Sequence, residues 1–216
     1  GVLHDDPEVM AKIAAAQRLG KPIDGHAPGL RGEDATRYAA AGMTTDHECF
    51  TLEEARDKAN AGMHILIREG SAARNLEAIW PILLEFPRQA MFSTDDAHPD
   101  DLLRGHINQS VARCVAHGVD VFDVLRAACV HPVKHYGLPT GLLRVGDRAD
   151  FIVVDDLVDF QVRQTWIGGQ LIARDGACLV PAEPTATPNR FRAQRFAPAD
   201  FAIPAGGGTS PVEVRV

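Results

Sequence analysis

Three side chains in this sequence have the chemistry to hold a divalent ion and move protons beside it: His26, His47 and Asp95. Neutral imidazole is a good ligand for borderline divalent metals, and a carboxylate can both ligate such an ion and take a proton from water that the ion has acidified. The three lie far apart in the chain, so the chemistry depends on whether the fold gathers them.

Other polar residues stand beside these three. Glu48 follows His47 directly; on a continuing strand it points to the opposite side, and its bland reading is a loop salt bridge. Arg68 and Glu69 in IREGSA either bind polar atoms of a substrate or pair with each other, with Gly70 and Ser71 expected to open a helix there. Asp96 could orient a substrate and His98 could hydrogen-bond a leaving group. Either is also placed to cap the next helix. His4, His64, His106, His117, His131 and His135 read as solvated or core histidines.

The elements that must position these groups alternate. PEVMAKIAAAQRL over 7–19 has helical apolar spacing, with Asp5 and Asp6 available as caps ahead of Pro7. KPIDGHAPG then reads as a short strand running into a loop at His26, GEDATRYAAA as a helix, and MTTDHE as a strand that ends at His47. TLEEARDKANAG is a helix with Thr51 as its cap and Glu54 at the third helical position. MHILIREGS is a strand ending at Arg68 and Glu69, residues 71–85 a helix, QAMFSTDD a strand ending at Asp95, and DLLRGHINQSVARCVAHG a further helix. Strand–helix alternation predicts a parallel sheet with right-handed crossovers, and in a (β/α)8 barrel functional residues gather at the C-terminal strand ends. A closed barrel takes eight units, and about four are visible.

After the helical VDVFDVLRAACVHPVKHYGL, Gly-bounded short strands follow in GLLRVGDRADFIVVDD and QVRQTWIGGQLIARDG. Beyond Pro181 the chain is rich in Pro, Ala and Gly, including the GGG at 206–208. The predicted architecture is α/β: a partial (β/α)8 barrel over 1–140, a small β-sandwich segment over 141–180, and over 181–216 a linker and the start of a further domain.

Composition narrows the function classes. With 45% hydrophobic and 24% charged residues among 216, a sizeable core is expected. A formal charge of −7 without a Lys/Arg cluster argues against nucleic-acid binding. No apolar run suggests a membrane span, and no leader is read at the N-terminus, so a cytoplasmic enzyme is expected. Cys49, Cys114, Cys129 and Cys178 have no CxxC spacing and are expected to be reduced and mostly buried.

The strings DGHAPGLRG, TTDHECFTLEEA, ILIREGSAARN and FSTDDAHPDDLL, in this order and followed by GLLRVGDRADFIVVDD, resemble the adenine deaminases of the amidohydrolase superfamily. The resemblance covers roughly residues 20–175. It implies a distorted (β/α)8 barrel, a divalent metal centre of Mn, Fe or Zn, hydrolysis of adenine to hypoxanthine and ammonia, and a homo-oligomer when intact. By position, His26 and His47 match the metal-binding histidines after the fifth and sixth barrel strands, and Asp95 the carboxylate after the eighth. The resemblance implies that Asp95 contacts metal and acts as general base and then general acid, with Arg68, Glu69 and Asp96 flanking the purine.

The sequence also departs from the family pattern. It has no H-x-H pair, which the family brings from its first strand, and no recognisable carboxylate or modified lysine from the fourth. It resembles the middle of a longer enzyme and is expected to have little activity alone. The competing expectations are another amidohydrolase, acting on a cyclic amide or a different nucleobase, and a non-catalytic truncated remnant.

Overall fold

A computed structural model of the chain describes residues 1–181 and 189–202. The first 180 residues form one compact unit and the segment from Pro181 onward a second. In the first unit, α1 (Pro7–Arg18) begins where the Asp6 carboxylate accepts the amides of Glu8 and Val9. Four parallel strands follow in sequential order: β1 (Asp24–Gly25), β2 (Thr45–Asp46), β3 (His64–Arg68) and β4 (Ala90–Ser93). Asp24 aligns with Thr45, Thr45 with His64, and Arg68 with Ser93. Helices α2 (Gly32–Ala40) and α3 (Leu52–Asn60) link the first three strands. This is the expected strand–helix alternation, and the described residues supply four strands of a fold whose closed form takes eight.

Gly25 shows why β1 can lie so close to its neighbours. A Cβ there would meet the Thr45 carbonyl at 2.3 Å and the Tyr38 ring at 3.0 Å. Tyr38 in turn accepts the His26 amide on its hydroxyl at 3.1 Å, fixing the strand exit.

Three expected helices are broken. Instead of one helix over 71–85 there are α4 (Leu76–Ile79) and α5 (Ile82–Glu85), with Pro81, which has no N–H for the ladder, between them. Residues 71–75 form a loop closed by a bridge between Glu69 and Arg74, so no helix opens at Gly70 and Ser71. The next segment splits into α6 (Pro99–Leu102) and α7 (Ile107–Ala116), separated by a stretch containing Gly105. Beyond it, α8 (Val121–Leu125) passes through a π turn at Arg126–Val130 into α9 (His131–Tyr136). Pro132 cannot donate to an α-helical partner, and the wider turn sits immediately before it.

α9 crosses the N-terminal ends of the strands. His131 Nδ1 lies 2.9 Å from the Ala90 carbonyl, His135 Nε2 lies 3.3 Å from Thr44 Oγ1, and the Tyr136 hydroxyl donates to Asp24 at 2.9 Å. The opposite end of the sheet is therefore the one left to carry a site.

Strands β5 (Phe151–Val154), β6 (Val162–Ile167), β7 (Gln170–Arg174) and β8 (Ala177–Cys178) form an antiparallel meander, a single sheet. Its two last turns are Gly168–Gly169 and Asp175–Gly176, all four residues at positive φ, as two-residue type I′ hairpins require. One core joins Ile65, Ile67, Leu76, Ile79, Leu83, Phe92, Val124 and Phe160, and a smaller one joins Ile13, Tyr38, Met43 and Met63. Cys49 and Cys114 are buried, as expected, while Cys129 and Cys178 are exposed; all four are free thiols.

In the second unit the described residues hold a single 3-10 turn, Pro198–Phe201. The Gly-rich stretch at 206–208, assigned above to the start of a further domain, lies outside the described residues. No helix among the described residues is long and apolar enough to cross a membrane.

Candidate metal centre at the strand ends

His26 and His47 each follow a two-residue strand, one residue beyond its end. Because β1 and β2 are adjacent and in register, the two imidazoles meet, with ring centroids 5.4 Å apart. Glu48 joins them: its Oε1 is 3.5 Å from His26 Nδ1 and 3.4 Å from His47 Nε2. β2 has ended at Asp46, so strand alternation no longer applies and Glu48 turns inward, to the same side as His47. The donor atoms of His26, His47 and Glu48 all lie within 4.8 Å of one another.

Asp95 approaches from β4, with Oδ2 3.8 Å from His47 Nε2. It sits at φ 45, a left-handed conformation uncommon for a residue with a side chain. The Ser93 hydroxyl accepts its amide at 3.1 Å and helps to hold that turn. Arg68, at the end of β3, stands between the carboxylates: its Nη1 is 2.8 Å from Glu48 Oε1 and also donates to Asp95 Oδ2. The side chains of Glu48 and Arg68 are only 8% and 9% exposed, whereas that of His26 is 69% exposed, so the cluster is buried on its sheet side and open on the other.

Other candidates stand apart from this cluster. Glu69 accepts the Leu76 amide at 3.2 Å on one oxygen and the Arg113 guanidinium on the other, so both oxygens are engaged away from the histidines. Asp96 accepts the Ala72 amide at 3.1 Å, and a Cβ on Gly70 would lie 1.8 Å from Asp96 Oδ1, so a side chain there would displace that carboxylate. The His98 amide donates to Ser71 Oγ at 2.8 Å, and its side chain does not cap α6. An adjoining cavity of about 180 Å³ is lined by Glu69, Gly70, Arg74, Thr94 and Arg113, among others.

Two supporting groups were not legible as such. Asn75, 3% exposed, accepts the Arg68 amide at 2.8 Å and donates to the carbonyls of His47 and Cys49 at 3.3 and 3.1 Å. Lys58 is fully buried beneath the histidine loops, its ammonium 2.6 Å from Asp46 Oδ2 and 2.7 Å from Glu54 Oε1. Burial pulls that ammonium down, and the neighbouring Cys49 together with the bonds to Asp46 and Glu54 outweighs it, so it stays above the ordinary lysine value. Burial pushes the neighbouring Cys49 thiol well up, so it remains protonated.

Two imidazoles and a carboxylate with converging donors are a set that Zn, Mn or Fe accepts. A carboxylate 3.8 Å further from His47, held by a guanidinium, is a group that could move a proton.

A family model described as "Amidohydrolase family" matches residues 2–172. The adenine deaminase of Salinibacter ruber is 56% identical over 207 residues, and that of Sulfurovum sp. is 56% identical over 191. The matches take in 96% and 88% of this chain but only 38% and 36% of those relatives. Among solved structures, a beta-aspartyl dipeptidase from Fervidobacterium islandicum AW-1 superposes with a TM-score of 0.63 at 15% identity, covering 84% of this chain and 55% of that one. The N-acetyl-D-glucosamine-6-phosphate deacetylase of Mycobacterium smegmatis gives 0.57 at 22% identity, covering 76% and 51%. These two likenesses concern the fold.

Proposed function

We propose that this chain, which belongs to the amidohydrolase family, carries part of the metal site of an enzyme that hydrolyses adenine to hypoxanthine and ammonia. The observation that carries the reading is the convergence of His26, His47 and Glu48 with Asp95 beside them at the C-terminal ends of parallel strands. The likeness to adenine deaminases selects the substrate. Four free cysteines suit a reducing, cytoplasmic setting.

His26, His47 and Glu48 would hold a divalent ion of Zn, Mn or Fe. When bound, it supplies a Lewis-acid centre that makes water a nucleophile at neutral pH. Asp95 takes the proton that the attacking water gives up as its oxygen bonds to the amino-bearing ring carbon. The same carboxyl returns that proton to the amino nitrogen, which leaves as ammonia as the C–N bond breaks. Arg68 keeps Asp95 and Glu48 apart and aimed. Asp96, His98 and Glu69 belong to the rim that would receive the purine. The chain spans well under half of the relatives' length.

The test is a substrate panel. A full-length adenine deaminase carrying these residues in place of its matching segment, loaded with Mn, is expected to release ammonia from adenine and not from guanine or cytosine, and to leave hydantoin intact. Turnover of hydantoin without turnover of adenine would replace the reading with that of a cyclic-amide hydrolase.

A further inference from the structure

Beneath the two histidine loops lies a group of charges that contacts no substrate position. Lys58, Asp46 and Glu54 are all buried, with Cys49 against them. The Lys58 ammonium donates to the Ala27 carbonyl at 2.6 Å, to Asp46 Oδ2 at 2.6 Å and to Glu54 Oε1 at 2.7 Å. Asp46 Oδ1 accepts the Ala27 amide at 3.1 Å. Both polar groups of Ala27, the residue after His26, are thus clasped by one ion pair whose acidic member precedes His47. Glu54 completes the clasp, accepting the Gly29 amide at 2.7 Å and the Phe50 amide at 3.0 Å, one from each loop.

Asp46, Cys49 and Glu54 have the donor geometry of a small metal site. The Lys58 ammonium already stands among them as the cation, bonded to both carboxylates, so this cluster is a brace. Stability does not explain it, because a buried ion pair can often be replaced by apolar groups of similar volume without loss. An apolar plug, however, could not hold Ala27 by its carbonyl while holding the residue before His47.

We infer that Lys58 is a positioning residue of the metal centre, which locks the loops after β1 and β2 together and so sets the spacing at which His26 and His47 share one ion. The inference rests on the metal-site reading above. Partners that orient metal ligands are typically worth 10–100-fold in metal affinity.

Zn²⁺ alone, titrated into the 216-residue chain, is the probe. Lys58→Met leaves two buried carboxylates uncompensated and is liable to unfold. Lys58→Met/Glu54→Gln keeps the cluster at its present charge of −1 and removes the bond to Ala27, so it is the informative variant. Ile79→Ala, in the core on α4, reports general loosening. The expected result is Zn²⁺ binding weakened about 10–100-fold in the double variant and unchanged in Ile79→Ala. Equal affinity in the double variant and wild type overturns the inference, as does weakening of both variants alike. If the wild type binds no Zn²⁺, the donors on this chain do not hold an ion by themselves, and amide exchange at Ala27 then decides whether Lys58 locks the loops. Exchange accelerated only in the double variant upholds the lock, and exchange unchanged there overturns it.

Discussion

Replacing Asn75 with alanine should cost this protein about 3 kcal/mol, although Asn75 touches neither imidazole. Its side chain makes three hydrogen bonds, to the Arg68 amide and to the carbonyls of His47 and Cys49, at 2.8, 3.3 and 3.1 Å. A net value of about 1 kcal/mol each gives the total, and water reaches this buried side chain too poorly to replace them. For a domain of this size the loss corresponds to a Tm lower by roughly 6–12 °C. Asn75→Asp should be worse than alanine, because it turns a carboxylate oxygen toward the two carbonyls that the amide now serves. Urea unfolding of the three proteins measures the difference. A loss below about 1 kcal/mol for Asn75→Ala, or an Asn75→Asp as stable as wild type, would refute the idea that this amide ties the His47 loop to β3.

Glu48→Gln keeps the volume and removes the charge; isothermal titration should find divalent-ion affinity down by more than about 100-fold, beyond what an orienting partner is worth. An unchanged affinity would leave His26, His47 and Asp95 as the ligand set. Stability should also fall in acid. Burial and the neighbouring His135 lower the pKa of His64, and burial lowers that of His135, while Asp24 opposes the shift at His135. A histidine held below its unfolded value of about 6.5 binds its proton more readily in the unfolded chain, so stability present above that pH is lost as pH falls through the folded value. Each such proton contributes a slope of at most about 1.4 kcal/mol per pH unit. Thermal melts between pH 7.5 and about 5 should show the decline, and His64→Gln should flatten it; identical pH profiles would rule out His64 as a source.

Much of this arrangement could be read from residue order. Alternating apolar runs and turn residues announced β1 to β4, and Thr51 and Asp6 announced their helices, because these signals are local. Pro81 broke the helix expected over 71–85. The π turn before Pro132 reflects a local constraint that apolar spacing does not register. Glu48 stayed open for a geometric reason: alternation turns it away only on a continuing strand, and β2 is two residues long, so Glu48 lies on the His47 side and pairs with Arg68. Lys58 was illegible for an energetic one. Glu54 and Lys58 stand at i and i+4 in a charged helix, the ordinary pattern of a solvated ion pair, and only the packing of the β1 and β2 loops over α3 reveals that the pair is buried. Asn75 likewise reads as one residue of the helix expected over 71–85 until its three backbone partners are brought together.

In the proposed reaction Asp95 moves the proton in an adenine-hydrolysing metal site built on His26, His47 and Glu48. The most direct test is ammonia release from adenine by the metal-loaded full-length enzyme carrying this segment, compared with its Asp95→Asn variant at equal metal content. The expected result is a loss of at least about 100-fold in kcat with the metal retained, in keeping with the worth of a positioned general acid–base. Ammonia release undiminished by Asp95→Asn would contradict it.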